Sequence, residues 1–236
     1  MTDPRLTKWK RWIEGPIRDD VIGMHDARAT WRHVGDMLAA NGDLPASHWW
    51  QFMKDTYATT QAVAVRRQAV ANRESNNLGT LLEELSQDCS LVTEEFWLRL
   101  WSEHVALQQM GQRIWKQQFG GENGTHLDPT IVLADAQKLK DGSARVKRYV
   151  DKHLAHSDQE ANTTDLPILS DVHDAIDLIG QVFRRYFNLF TASEMTQLEP
   201  TIAYDWMAVF RVPWMPKGWR KSASASASTV VIPNES

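Results

Sequence analysis

Ser170-Asp171-Val172-His173-Asp174-Ala175-Ile176-Asp177-Leu178-Ile179-Gly180-Gln181-Val182-Phe183-Arg184-Arg185-Tyr186-Phe187-Asn188-Leu189-Phe190 is the stretch that decides the fold class. Val172, Ile176, Ile179, Phe183, Phe187 and Phe190 recur at spacings of three or four, which places them on one face of an α-helix. Ser170-Asp171 supplies the helix start. A stripe this wide and this apolar needs neighbours to cover it, and the rest of the chain supplies further helices rather than strands.

Working upstream, Asp128 followed by Pro129 is a cap with proline at the first helical position. The spacing predicts helix from there to about Ala155, bent at Asp141-Gly142. Thr93 caps a helix whose first-turn acids are Glu94 and Glu95 and whose stripe is Trp97, Leu100, Trp101, Leu107, Ile114 and Trp115, ending at Gly120-Gly121. Leu78 to Gln87 reads as a short helix on Leu81, Leu82 and Leu85, after a polar loop from Ala71 to Asn77. Two longer helices are expected from about Ile17 to Ala40, closed by Asn41-Gly42, and from Pro45 toward Ala69. A shorter segment runs from Thr201 to Phe210. Alternating, strand-like runs are nearly missing, so the class is all-α.

The chain has 236 residues, 42% hydrophobic and 24% charged, enough for one substantial core. One domain is expected over 1–220, with a low-complexity, disordered C-terminal tail over 221–236 where Ser-Ala repeats three times. Net charge is −4, so any nucleic-acid binding must come from a local patch. The single cysteine, Cys89, excludes an internal disulfide framework and a multi-cysteine zinc site. Met1 to Trp12 has charges but no apolar run after them, and no window approaches a membrane span, so a cytoplasmic protein is expected.

The densest polar cluster is Arg145-Val146-Lys147-Arg148-Tyr149-Val150-Asp151-Lys152-His153-Leu154-Ala155-His156-Ser157-Asp158. At 100° per residue, Arg145, Arg148, Lys152 and His156 lie within roughly 80° of arc, with His153 about 60° further round. Val146, Val150 and Leu154 fall in another sector. Arginine can gather a phosphate and stabilise charge growing on it, and histidine can take or give a proton near neutral pH. The same pattern also describes a solvated basic face paired with the acidic residues that follow it. Spacing alone does not choose between them. Arg followed by His across four to six residues also occurs at Arg18/His25, Arg28/His33 and Arg99/His104, where chance predicts roughly 1.6 pairs in all. Arg28/His33 and Arg99/His104 read as structural, mid-helix pairs.

The string from Val146 to Asp158, ending Asp-Lys-His-Leu-Ala-His-Ser-Asp, resembles the signature of HEPN-like proteins from abortive-infection (phage-defence) systems. Val65-Arg66-Arg67-Gln68 followed by Leu78-Gly79-Thr80-Leu81-Leu82, and Asp205-Trp206 through Phe210 to Pro213-Trp214, look like the same family. The resemblance implies an up-and-down helical bundle that dimerises. It implies an endoribonuclease without metal or other cofactor, of bacterial defence or toxin–antitoxin type, in some cases paired with a nucleotidyltransferase antitoxin. RNA is then the substrate, and Arg and His from both protomers make the site. Aligned on Leu-Ala-His, the family histidine is His156, and Asp151 stands where arginine is often found. Aligned on the Arg-x4-His spacing, the pair is Arg148 and His153. Arg148, His153 and His156 are therefore the catalytic candidates, and Arg145, Lys152 and Arg67 the phosphate-binding ones, with Arg66 beside Arg67. An acid at 151 would repel phosphate, so a non-catalytic interaction module of the same fold is the alternative.

Three other groups of residues carry chemistry worth weighing against this one. His25-Asp26 and His173-Asp174 resemble the dipeptide of the HD phosphohydrolases, and are read as exposed helix positions. His153, His156 and Asp158 could chelate a divalent ion, but no fourth ligand is evident and the neighbouring cations oppose it. Trp97, Trp101 and Trp115 sit on core spacing. Trp9 and Trp12, set among Lys8, Lys10 and Arg11, are read as an exposed stacking platform or a docking strip.

Overall fold

The computed structural model describes residues 3–40, 47–101, 104–120, 124–154 and 166–212. The chain divides into two compact units, Met1–Pro200 and Thr201–Ser236. The described part of the first unit forms eight α-helices: α1 (Pro4–Glu14), α2 (Pro16–Ala39), α3 (His48–Ala69), α4 (Leu78–Gln87), α5 (Glu94–Leu98), α6 (Val105–Gln118), α7 (Pro129–Tyr149) and α8 (Leu169–Thr191). A π-turn, Val150–Leu154, extends α7. Among the described residues the only β-type pairing is an isolated bridge between Thr93 and His126, so the all-α bundle expected from the periodicity is what forms. In the second unit, Trp206–Arg211 makes a 3-10 turn with no buried residue, and Arg211 pairs with Asp205. The predicted tail over 221–236 lies outside the described residues.

Helix α8 is the centre of the bundle and packs against α1, α2, α3 and α7. Its stripe is buried as the spacing requires, with Ile176, Ile179, Phe183, Tyr186, Leu189 and Phe190 wholly inaccessible. Phe187 is only half-buried, packed at the edge of the core. Each of the large inaccessible side chains contributes about 1.5–3 kcal/mol by leaving water. The predicted caps form as well. Thr93 accepts from Phe96 N at 3.0 Å, and Asp128 accepts from Thr130 N at 2.8 Å with Pro129 opening α7.

Three local readings change. The N-terminal tryptophans are not exposed: Trp9 and Trp12 are buried in α1, which Asp3 caps and Pro4 opens. Trp9 packs edge-on to Phe190 at 6.4 Å and donates its indole N–H to Glu84, so the lysines and Arg11 mark only the outer face of a core helix. Next, the helix expected from Thr93 to Gly120 breaks after Leu98, and His104 caps the start of α6. In one straight helix Trp97 and Trp115 would stand about 27 Å apart. The break folds α6 back on α5, bringing these rings to 6.5 Å and letting Trp97 Nε1 donate to Gly111 O. Arg99 and His104 therefore flank this break instead of lying mid-helix. Finally, α7 runs unbroken through Asp141-Gly142. A Cβ on Gly142 would lie 2.4 Å from Leu178 Cδ2, so this glycine serves close approach to α8.

Gly79 plays the same part where α4 meets the end of α3. A Cβ there would come within 2.8 Å of Ala71 N and 2.9 Å of Ala69 O, both backbone atoms with little room to yield. Gly79→Ala is expected to lower stability by about 1–3 kcal/mol, read as a lower urea midpoint with an unchanged m-value. An unchanged midpoint would show that the α3–α4 junction gives way at no cost.

Candidate functional site

The basic segment closes α7 and enters the π-turn. Valines 146 and 150 point into the core as the spacing implies, while Lys152 and Leu154 are exposed and His153 is half-buried. The α-helical arithmetic that sets Arg148 beside His156 applies only as far as Tyr149. In the π-turn the backbone bonds from i to i+5, so residues five apart are drawn toward one side of the helix, and Arg148 and His153 have that spacing. The His153 ring lies over Tyr149, with centroids 5.5 Å apart and planes at 29°. His156, Ser157 and Asp158 lie outside the described residues.

Asp151 does not stand as a bare acid. Its two carboxylate oxygens accept from Arg66 Nε, reaching over from α3, and from Lys147 Nζ at 2.6 Å. Burial pushes its carboxyl upward, but the hydrogen bonds from Lys147 and Arg66 outweigh this and hold it below the usual carboxylate range. Arg145 is likewise engaged, donating to Asp171 Oδ2 and to Leu166 O, each at 2.9 Å. Arg66 and Lys147 thus pair with Asp151, and Arg145 with Asp171, at the same end of α7 that carries Arg148 and Lys152. Arg67, expected to share the site, instead makes a two-pronged pair with Asp20 of α2 at 2.7 and 2.9 Å, and Gln68 joins the same carboxylate.

A second polar cluster, read from the sequence as exposed histidines, is in fact buried between α2 and α8. His25 is 4% exposed and Arg28 5%, both on the inner face of α2. Arg28 spans to α8, with Nη2 2.7 Å from Asp177 and Nη1 donating to His173 O at 3.3 Å. Its Nη2 also lies 3.0 Å from His25 Nδ1. A guanidinium can only donate, so Nδ1 accepts and the neutral ring carries its proton on Nε2. That Nε2 has no partner among the described residues and abuts Gly180, where a Cβ would sit 2.7 Å away. Burial first, and then the Arg28 charge, push the His25 pKa down to about 4. Nearby, Trp31 is stacked between Trp50 and Tyr57 at 4.8 and 4.7 Å, and the Tyr57 hydroxyl meets His173 Nε2 at 2.9 Å.

This cluster fastens α2 and α3 to α8. An imidazole that stays neutral down to about pH 4 is a poor proton donor at neutral pH, and the ring nitrogen a metal would need is held by a cation. Among the described residues no group of three His, Cys, Asp or Glu side chains is arranged to hold a metal ion. The sequence does carry a signal for the cluster. His25 and Arg28 are three apart, and His173 and Asp177 four apart, each pair on one helix face. Only the packing of α2 on α8 turns two such faces into one network.

Comparison with protein families, curated proteins and solved structures finds no significant match for this chain. The chemistry therefore has to be read from the residues themselves.

The depressed His25 pKa has a signed consequence. Between about pH 6.5 and 4 the unfolded chain binds a proton at His25 that the folded chain refuses, so stability falls as pH is lowered through this window. The contribution at stake is on the order of 3 kcal/mol. His173, also depressed by burial and by Arg28, adds in the same sense. Urea midpoints measured from pH 7 to 4.5 are expected to drop for the parent, and to drop less steeply for His25→Gln. Parallel slopes would remove His25 from the account.

Proposed function

We propose that this chain is an endoribonuclease-like protein acting at the cationic end of α7 without a metal. The fold is the helical one expected for the HEPN-like family it resembles. In this reading Arg148 steadies the phosphate, Lys152 and Arg145 add positive potential, and His156 or His153 moves the proton. The histidine takes the proton of a ribose 2′-hydroxyl, the oxygen attacks the adjacent phosphorus, and Arg148 offsets the charge that builds on the non-bridging oxygens. Proton return to the departing 5′-oxygen leaves a 2′,3′-cyclic phosphate and a free 5′-hydroxyl.

The observation that carries the reading is the neutralisation of Asp151 by Arg66 and Lys147 within the same π-turn that bears His153. The residue that should have repelled phosphate is already compensated. Action in the cytoplasm as a homodimer, in phage defence or beside a nucleotidyltransferase antitoxin, belongs to the same proposal and rests on the resemblance alone. A second reading, a non-catalytic interaction module, draws on Arg66, Arg67 and Arg145 being engaged by Asp151, Asp20 and Asp171.

Purified protein incubated with RNA in excess chelator is expected to yield cyclic-phosphate ends. Arg148→Ala should lower the rate by about 10²–10⁴-fold while leaving the helical circular dichroism unchanged, and so should one of His153→Ala and His156→Ala. Full activity in the double histidine variant would sink the site. A parent protein that binds RNA or a partner but never cleaves would favour the interaction module.

A further inference from the structure

On the opposite half of α7 from the basic turn, α6, α7 and α8 enclose an open cleft of about 700 Å³. Its floor is built around a buried carboxylate. Asp135, 3% exposed, accepts from Arg185 Nη1 and from the Tyr186 hydroxyl at 3.2 Å, both on α8. A charge this deep is tolerated only when paired, and the pairing fixes the arginine in place. Arg185 has Asp135 as its only polar partner among the described residues, so the rest of its donor fork is uncommitted at the cleft wall. Lys138, one turn beyond Asp135 on α7, lines the same cleft without an ion pair among the described residues.

The lining of the cleft sets what it could hold. Arg184 Nη2 donates to Thr196 O at 3.2 Å, while its Nε and Asn188 Oδ1, one turn apart on α8, are sealed within the cleft wall without hydrogen-bond partners among the described residues. Polar atoms left so are uncommon in a finished core. The wall also includes Ile114 of α6 and Ile131 of α7, giving the cleft apolar surface beside its cations. Glu194, exposed beside the cleft, has no ion pair among the described residues. Two cations on separate helices suit a dianion better than a single carboxylate, and the apolar wall suits a ring.

We propose that this cleft binds a small phosphate monoester of nucleoside size, its phosphate between Lys138 and Arg185. The site is separate from the one assigned to RNA cleavage: Lys138 precedes Arg148 by ten residues on α7, about 15 Å along the axis. The inference does not rest on that assignment.

Uridine 5′-monophosphate is the probe, titrated by calorimetry into full-length protein carrying Arg148→Ala so that binding at the far end of α7 is not read. Binding with a sub-millimolar Kd is expected, with uridine at least tenfold weaker. Lys138→Glu, an exposed position whose change spares the fold, should weaken the nucleotide at least tenfold, and Glu194→Gln should tighten it. Arg185→Lys, which keeps a charge for Asp135 but removes the fork, should also weaken it. No heat up to 5 mM nucleotide, equal affinity for uridine, or indifference to Lys138→Glu would each overturn the proposal. Inorganic phosphate competing as well as the nucleotide would overturn its nucleoside part.

Discussion

Covering the apolar face of α8 is the constraint on which the other helices depend. From Val172 to Phe190 the helix offers side chains that water cannot be left to solvate, and α1, α2, α3 and α7 are laid over it. Where a neighbour comes closest, a small residue allows it: Gly142 of α7 against Leu178, and Gly180 of α8 against His25. The polar atoms trapped in the process are mostly paired, as with Asp135 by Arg185 and Tyr186, and Arg28 by Asp177. Central packing and buried ion pairs are thus one design, since the helices cannot close on α8 without taking these charges inside.

The same closure creates two chemically different ends on α7. Near its start, a buried acid holds Arg185 at the wall of an open cleft. At its finish, the helix loosens into a π-turn, and an acid is compensated by Arg66 from α3. Such turns give up regular hydrogen bonding to re-aim a few side chains, and they recur at functional positions. Here the turn carries Lys152 and His153 just past Arg148, so the local irregularity and the cluster of charge coincide.

Where reading the chain went astray, the cause is identifiable. Trp97, Leu100, Trp101 and Leu107 keep helical spacing across a break, because both arms are helices burying apolar faces and periodicity does not register the corner between them. Trp9 and Trp12 looked exposed because lysine and arginine lie between them. Long cationic stems commonly cover a buried aromatic, as Lys8 does over the Trp12 ring at 4.7 Å. Histidines 25 and 173 looked solvated because each sits beside an aspartate. Each aspartate is the next residue round the helix, pointing elsewhere, and the partner that matters, Arg28, is in reach of His173 only across the bundle.

The sequence by itself determined the all-α class and most of the helices, the caps at Thr93 and Asp128, the stripe of α8, and the concentration of charge between Arg145 and Lys152. These follow from interactions among residues a few positions apart, which spacing records. Only the tertiary structure decided that Asp151 is held by Arg66, that Arg67 belongs to Asp20, that His25 is a buried neutral ring, and that Lys138 and Arg185 share a cleft. Each of these joins residues on different helices, often far apart along the chain. Their meeting depends on how whole helices pack, through the shape of the apolar surface they jointly bury and not through any local propensity.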